Sequence, residues 1–253
     1  MKKFAVVVVC LLIFIGVVVY KNHQPPKPAA TTASHANTTQ PKKPTDSFNK
    51  TQYSTTDPTS IWVVVNKQHP LVPQNYAPTD LVVPNVPLRV PGNESMQMRQ
   101  VAATALEKMF ADAKQQGIDL MLSSGYRSYS YQVSLYGGYV KTQGQATADT
   151  QSARPGYSEH QTGLAVDVEP VSQKCDVDPC FGDLPEGKWV AANAYKYGFI
   201  VRYTTGNEAV TGYEAEAWHL RYLGTDLSQE LHKTGVTTLE QFFGISGGKV
   251  YNQ

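Results

Sequence analysis

The sequence predicts an α+β domain built on an antiparallel sheet with helices packed to one side. Three observations carry this. Apolar residues recur at helical spacing between Ser95 and Gln116 (Met98, Val101, Ala105, Met109, Phe110, Ala113), and Gly117 stops the run. Several short apolar or β-branched runs read as strands instead, among them Leu164–Val168 and Phe199–Tyr203. Helices and strands do not alternate strictly and no internal repeat is present, which argues against a parallel β-α-β sheet or a solenoid.

The chain opens Met1-Lys2-Lys3 and then runs without a charge from Phe4 to Tyr20. Those seventeen residues would rise roughly 25 Å as a helix, the short end of what spans a bilayer. A cleaved signal peptide shares the same start, but the run ends Val18-Val19-Tyr20-Lys21 with no small-x-small site directly after it. A lipoprotein reading of Cys10 is opposed by Val9, where a small residue is expected. The expectation is therefore a cytoplasmic start at residues 1–3 and a signal anchor at residues 4–20, with everything after it outside the cell, because Lys2 and Lys3 favour an inside N-terminus. Residues 21–58 are rich in Pro, Thr, Ser, Asn and Lys and nearly lack large apolar side chains. Such a segment cannot bury enough surface to offset its chain entropy, so it is expected to be a disordered tether to a folded domain at residues 59–253.

Within that domain, order is expected to begin near Ser60–Lys67, a β-branched run closed by a turn, followed by irregular backbone punctuated by Pro70, Pro73, Pro78, Pro84, Pro87 and Pro91. The helix over 95–116 follows, then a strand over Asp119–Gly125 and a second helix from Tyr129 to about Gln143. After the strand at Leu164–Val168 comes a third helix over Pro185–Tyr197, stopped by Gly198. Strands are expected at Phe199–Tyr203 and Trp218–Tyr222, and short helices at Leu227–Lys233 and Thr238–Phe243.

The 253 residues are 41% hydrophobic and 17% charged, with a formal net charge of +1. That is ample for one sizeable core, and near-neutral charge argues against a nucleic-acid partner, which needs a basic face. Cys175 and Cys180 bracket four residues in a segment placed outside the cell, so a disulfide is expected. A zinc pair is opposed because no further Cys or close His completes a four-ligand set.

The chemistry centres on Ser158-Glu159-His160-Gln161-Thr162-Gly163-Leu164-Ala165-Val166-Asp167, where a histidine and an aspartate stand seven apart among small and apolar residues. A carboxylate buried there must be paired or bound to a metal. Glu216-Ala217-Trp218-His219 offers a second imidazole with a carboxylate three positions before it. Catalytic zinc takes three protein ligands and leaves one position open. His160, Asp167 and His219 fill that set, and Glu216 is left as a base. Any one of these residues alone would read as an ordinary polar side chain; the four together do not.

Ser158-x-His160-x6-Asp167 followed by Glu216-x-Trp218-His219, with Ser124-Gly125-Tyr126-Arg127-Ser128 upstream, resembles the signature of the VanY-type zinc D-alanyl-D-alanine carboxypeptidases. The resemblance covers roughly residues 60–245. Ala217 stands where many relatives carry proline, outside the ligand set. The resemblance implies a fold shared with the Hedgehog signalling domain, and a bacterial enzyme that trims the terminal D-alanine from peptidoglycan stem peptides; a monomer is expected. It also implies one Zn2+ per chain on His160, Asp167 and His219, with Glu216 as base. Arg127 matches the family arginine that steadies the developing oxyanion, and Gln132, Ser158 and Tyr203 match positions lining the substrate site in relatives that cleave a tetrapeptide. Trp218 is expected to pack beside the metal. Cleavage of a tetrapeptide (L,D) is favoured slightly over that of a pentapeptide (D,D). A peptidoglycan endopeptidase on the same scaffold would need an open cleft. A wall-binding module with a structural zinc would have no need of Glu216.

Overall fold

The computed structural model describes residues 48–252. The class is α+β, as the sequence predicts. A two-stranded ribbon of β1 (Leu81–Val82) and β2 (Met98–Arg99) precedes α1 (Gln100–Gln115). The main sheet contains β3 (Leu120–Ser124), β4 (Ala165–Pro170), β5 (Phe199–Tyr203) and β6 (Glu216–Tyr222), all antiparallel in the order β3-β4-β6-β5. Between them run α2 (Tyr129–Gln143), α3 (Gln145–Gln151), α4 (Pro185–Asn193) and the single turn α5 (Glu208–Thr211). Two helices, α6 (Thr225–Thr234) and α7 (Leu239–Phe243), close the chain.

Strand alternation explains how one sheet serves two purposes. Successive side chains point to opposite faces, so Leu120, Leu122, Val166, Val168, Leu220 and Tyr222 enter the core with Leu106, Met109 and Phe110 of α1 and Trp189 and Val190 of α4. Each such side chain contributes about 1.5–3 kcal/mol on burial. Asp167, Glu169, His219 and Arg221 alternate with them and face the other way. That second face is covered in part by the segment Ile61–Lys67, whose Ile61 and Val63 carbonyls accept hydrogen bonds from Arg221.

The structure departs from the sequence expectations in instructive places. The first long helix starts at Gln100 rather than Ser95, because Met98 pairs with Val82 in the ribbon and Glu94–Met96 form a 3₁₀ turn capped by Asn93. Met96 and Met98 are buried all the same, which is why the apolar period runs on past the true helix start. Trp62–Val65 are buried but join no strand ladder, and the Ile61 and Val63 carbonyls are taken by the Arg221 side chain instead. The helix from Pro185 is α-helical only to Asn193 and tightens to a 3₁₀ turn over Ala194–Tyr197. Strand β6 begins two residues before Trp218, which places Glu216 and His219 on one strand. Ordered chain also begins ahead of residue 59: Phe48 stacks 5.6 Å from Trp62, and Lys50 Nζ donates to the Phe242 carbonyl. The expected anchor at 4–20 and most of the tether lie outside the described residues, and among the described residues no helix is long and apolar enough to cross a membrane.

Candidate metal centre and active-site cleft

Sheet register brings the site together. Asp167 on β4 and His219 on β6 are direct partners in the antiparallel ladder, so residues 52 apart in sequence become backbone neighbours. Ser124 pairs with Asp167 across an irregularity in β3, and Tyr203 pairs with Glu216 across another in β5. Bulges of this kind re-aim side chains beside functional sites. His160 arrives on a 3₁₀ turn, Glu159–Thr162, that ends at Gly163 with φ +67°. A side chain at Gly163 would meet Arg99 and Leu81 as well as a left-handed backbone. Gly125 is needed for a different reason, because a Cβ there would run into the Gln97 carbonyl oxygen.

His160, Asp167 and His219 converge, all buried, with one potential ligand atom from each lying within 4.8 Å of the others. His160 Nε2 is 3.3 Å from Asp167 Oδ2, and His219 Nδ1 is 3.1 Å from Asp167 Oδ1. A zinc tetrahedron with ligand distances of about 2.1 Å has an edge of roughly 3.4 Å, so the spacing and the donor set both fit that ion. The other ring nitrogen of each histidine is held from behind. His160 Nδ1 donates to the Gly125 carbonyl at 2.6 Å, and His219 Nε2 lies 3.4 Å from Glu159 Oε2. Glu216 Oε2 is 3.6 Å from His219 Nδ1, its side chain 20% exposed towards the cleft. Arg127 donates through Nη2 to Asp167 Oδ2 at 2.7 Å and through Nε to Ser124 Oγ at 3.0 Å.

The electrostatics separate these groups. Burial pushes the Glu216 acid up to about 7, and the Asp167 carboxylate adds to the rise against the pull of His219. Burial and the nearby Arg127 lower His160 to about 4. In His219 burial works against the charged form, but hydrogen bonds with Asp167 and Glu159 outweigh it and raise the ring to about 9. Burial also opposes ionisation of Asp167, yet the two imidazoles and Arg127 hold it well below the usual carboxylate range.

A cleft of about 440 Å³ opens over this centre and is lined by all of the sequence-predicted site residues, Arg127, Gln132, Ser158, His160, Asp167, Tyr203, Glu216 and His219. Gln132 donates through Nε2 to Ser152 Oγ and the Ala153 carbonyl, while its buried Oε1 meets no protein partner. The Tyr203 ring lies 4.9 Å from that of His219, and burial holds its hydroxyl well above the usual phenol range, hence protonated. Trp218 packs in the core beside the centre. Cys175 and Cys180 form a disulfide, and the loop between them supplies Asp176, which grips Arg89 at the cleft edge next to the buried Glu169. A separate apolar hollow of about 410 Å³ lies along β5, with no carboxylate and a single histidine, His232, in its lining; nothing in it resembles a reaction site.

Glu159, Arg202 and Arg221 went unmarked in the sequence. The only signal was a pair of arginines inside otherwise apolar strand runs, Phe-Ile-Val-Arg202-Tyr and His-Leu-Arg221-Tyr, where a charge demands a buried partner.

Comparison with known proteins agrees with this geometry. The VanY family model, described as D-alanyl-D-alanine carboxypeptidase, matches residues 95–225. The Bacillus subtilis (strain 168) protein YodJ is 44% identical over 190 residues, covering 74% of this chain and 68% of that one. The LdcB LD-carboxypeptidase structure, described as revealing the basis of peptidoglycan recognition, superposes with a TM-score of 0.70 at 43% identity, covering 75% of this chain and 88% of that one. A variant of the D,D-pentapeptidase VanY of the VanB-type resistance cassette, solved with Zn(II), has a TM-score of 0.57 at 28% identity, with coverage of 71% and 97%. With its fold, its converging donor set and these relatives in agreement, the chain belongs to the VanY family of carboxypeptidases.

Proposed function

We propose that this carboxypeptidase is zinc-dependent and removes the terminal D-alanine from peptidoglycan stem peptides, with a tetrapeptide (L,D) favoured over a pentapeptide (D,D). The observation that carries the reading is the convergence of two imidazoles and a carboxylate, with a fourth group of raised acid strength threshold beside them, at the floor of an open cleft. The L,D preference is supported by the greater likeness to the LD-carboxypeptidase LdcB than to the D,D-pentapeptidase VanY.

In this reading His160, Asp167 and His219 hold one Zn2+. Zinc bound there supplies a Lewis acid and brings the pKa of a water towards 7. Glu216 takes the proton of the attacking water and returns it to the departing amine of D-alanine; an acceptor near 7 suits both transfers at neutral pH. Arg127 has five N–H donors, of which protein groups take two, so the rest can meet the scissile oxygen as it becomes negative. Gln132 Oε1 is free to accept from a substrate N–H, and the Ser158 and Tyr203 hydroxyls are donors for the terminal carboxylate. The segment at 4–20 would anchor the domain on the wall side of the membrane, where its polymer substrate lies.

The test is mass spectrometry of tetra- and pentapeptides incubated with the purified full-length chain. Loss of one D-alanine from the tetrapeptide, abolished by a chelator and restored by zinc, is the expected result. Intact peptides from a folded, zinc-loaded protein would overturn it, and faster trimming of the pentapeptide would reverse the specificity.

A further inference from the structure

His219 is gripped on both sides of its ring, and by different means from His160. For His160 the outer partner is a backbone carbonyl, Gly125 O, so Nδ1 carries the proton and Nε2 faces the centre. For His219 the outer partner is the Glu159 carboxylate, only 2% exposed, and the orientation reverses: Nε2 faces Glu159 and Nδ1 faces Asp167 and Glu216. Nδ1 lies within the candidate donor set, 3.1 Å from Asp167 Oδ1, so with an ion there its lone pair is engaged and the ring's one proton sits on Nε2, which lies 3.4 Å from Glu159 Oε2, an acceptor.

Glu159 itself has no freedom to turn away. Its other oxygen, Oε1, accepts from Arg202 Nε at 2.9 Å and from Arg221 Nη1 at 3.0 Å. Both arginines are wholly buried and fixed in turn. Arg202 forks onto Glu240, with Nη1 to Oε2 at 3.0 Å and Nη2 to Oε1 at 2.7 Å. Arg221 donates to the carbonyls of Ile61, Val63 and Tyr222. Two guanidiniums thus pin one carboxylate oxygen and aim the other at an imidazole.

We propose that Glu159 is a positioning residue for the metal centre: it holds His219 with the proton on Nε2, so that the Nδ1 lone pair is the one presented to the ion. This rests on the zinc reading above and adds to it a residue outside the ligand set. Outer partners of metal-bound histidines typically govern affinity by 10–100-fold, roughly. A merely structural role would give no such effect, because Glu240 belongs to the same buried charge cluster without touching His219.

The experiment is a zinc competition titration against a chromophoric chelator on the full chain, comparing wild type, Glu159→Gln and Glu240→Gln, with melting curves of the metal-free proteins alongside. Zinc should bind about 10–100-fold more weakly to Glu159→Gln, whereas Glu240→Gln should keep the wild-type affinity even where its melting temperature falls as far. Equal affinities in wild type and Glu159→Gln, or equal weakening in both variants, would overturn the role of Glu159. Should Glu159→Gln fail to fold, ¹⁵N spectra of zinc-loaded wild type decide the matter: a proton on His219 Nε2 is expected, and one on Nδ1 overturns the proposal. A folded wild type that takes up no zinc would overturn the metal reading itself.

Discussion

Two groups of buried charge sit in contact on this sheet, and they are built on opposite terms. Glu159, Glu240, Arg202 and Arg221 sum to zero, and all four carboxylate oxygens meet a donor. A few ångströms away, Asp167, Glu216, Arg127 and the two histidines leave donors and acceptors facing a cleft: Glu216 has only a 3.6 Å contact, and Gln132 Oε1 has no protein partner at all. A buried polar group without a partner costs about 1–3 kcal/mol. Balanced buried charge therefore reads as scaffold, and a concentration of unmet groups reads as the place where a ligand goes.

The sharpest way to break this contrast is to change one member of each group. Glu216→Gln should lower turnover by about 10²–10⁴-fold with zinc content and melting temperature unchanged, measured by D-alanine release and metal analysis. Full activity in that variant would end the assignment of Glu216 as base. Glu240→Gln should do the reverse, costing about 3–5 kcal/mol of stability by leaving Arg202 short of a partner, with kcat/KM preserved in the folded fraction. Arg127→Ala should reduce kcat by about 10²–10³-fold, and Arg127→Lys should restore only part of it because the planar fork is lost. Removing the disulfide with Cys175→Ser and Cys180→Ser should cost no more than about 2 kcal/mol, since the sequence separation is only 5 and little loop entropy is at stake.

The smallest expected effect is an acid limb of stability. Burial opposes ionisation of Glu240, but Arg202 outweighs it and lowers the carboxyl below its ordinary 4.5. A depressed folded value means the contribution is complete above 4.5 and is lost as pH falls through the lower folded value. Thermal melts from pH 6 downwards should therefore decline more steeply for wild type than for Glu240→Gln.

How much of this could be read from the chain follows from the distance over which each signal acts. The helical period of α1, the strand runs and the turn glycines are local, and the structure departs from them only where a distant partner intervenes, as when Val82 claims Met98 for a ribbon. The three candidate donors could be picked out because few residue types ligate zinc and they stand at marked spacings; the structure brings these residues together. Glu159 was not legible, although it adjoins His160, because its partners stand 43 and 62 residues away. Nor was the docking of Phe48 on Trp62 and Phe242, which depends on a groove made by both ends of the domain.

The pairing of Asp167 with His219 has a consequence for how the chain finds its structure. Side chains change face with every residue along a strand, so a slip of one position between β4 and β6 would turn one donor into the core and leave the other alone. Only the correctly registered sheet brings both donors of the proposed site together. Metal uptake would thus act as an inspector of folding: chains that settle one step out of alignment would be left empty, and retention of zinc during refolding would count the molecules whose central strands have met in step.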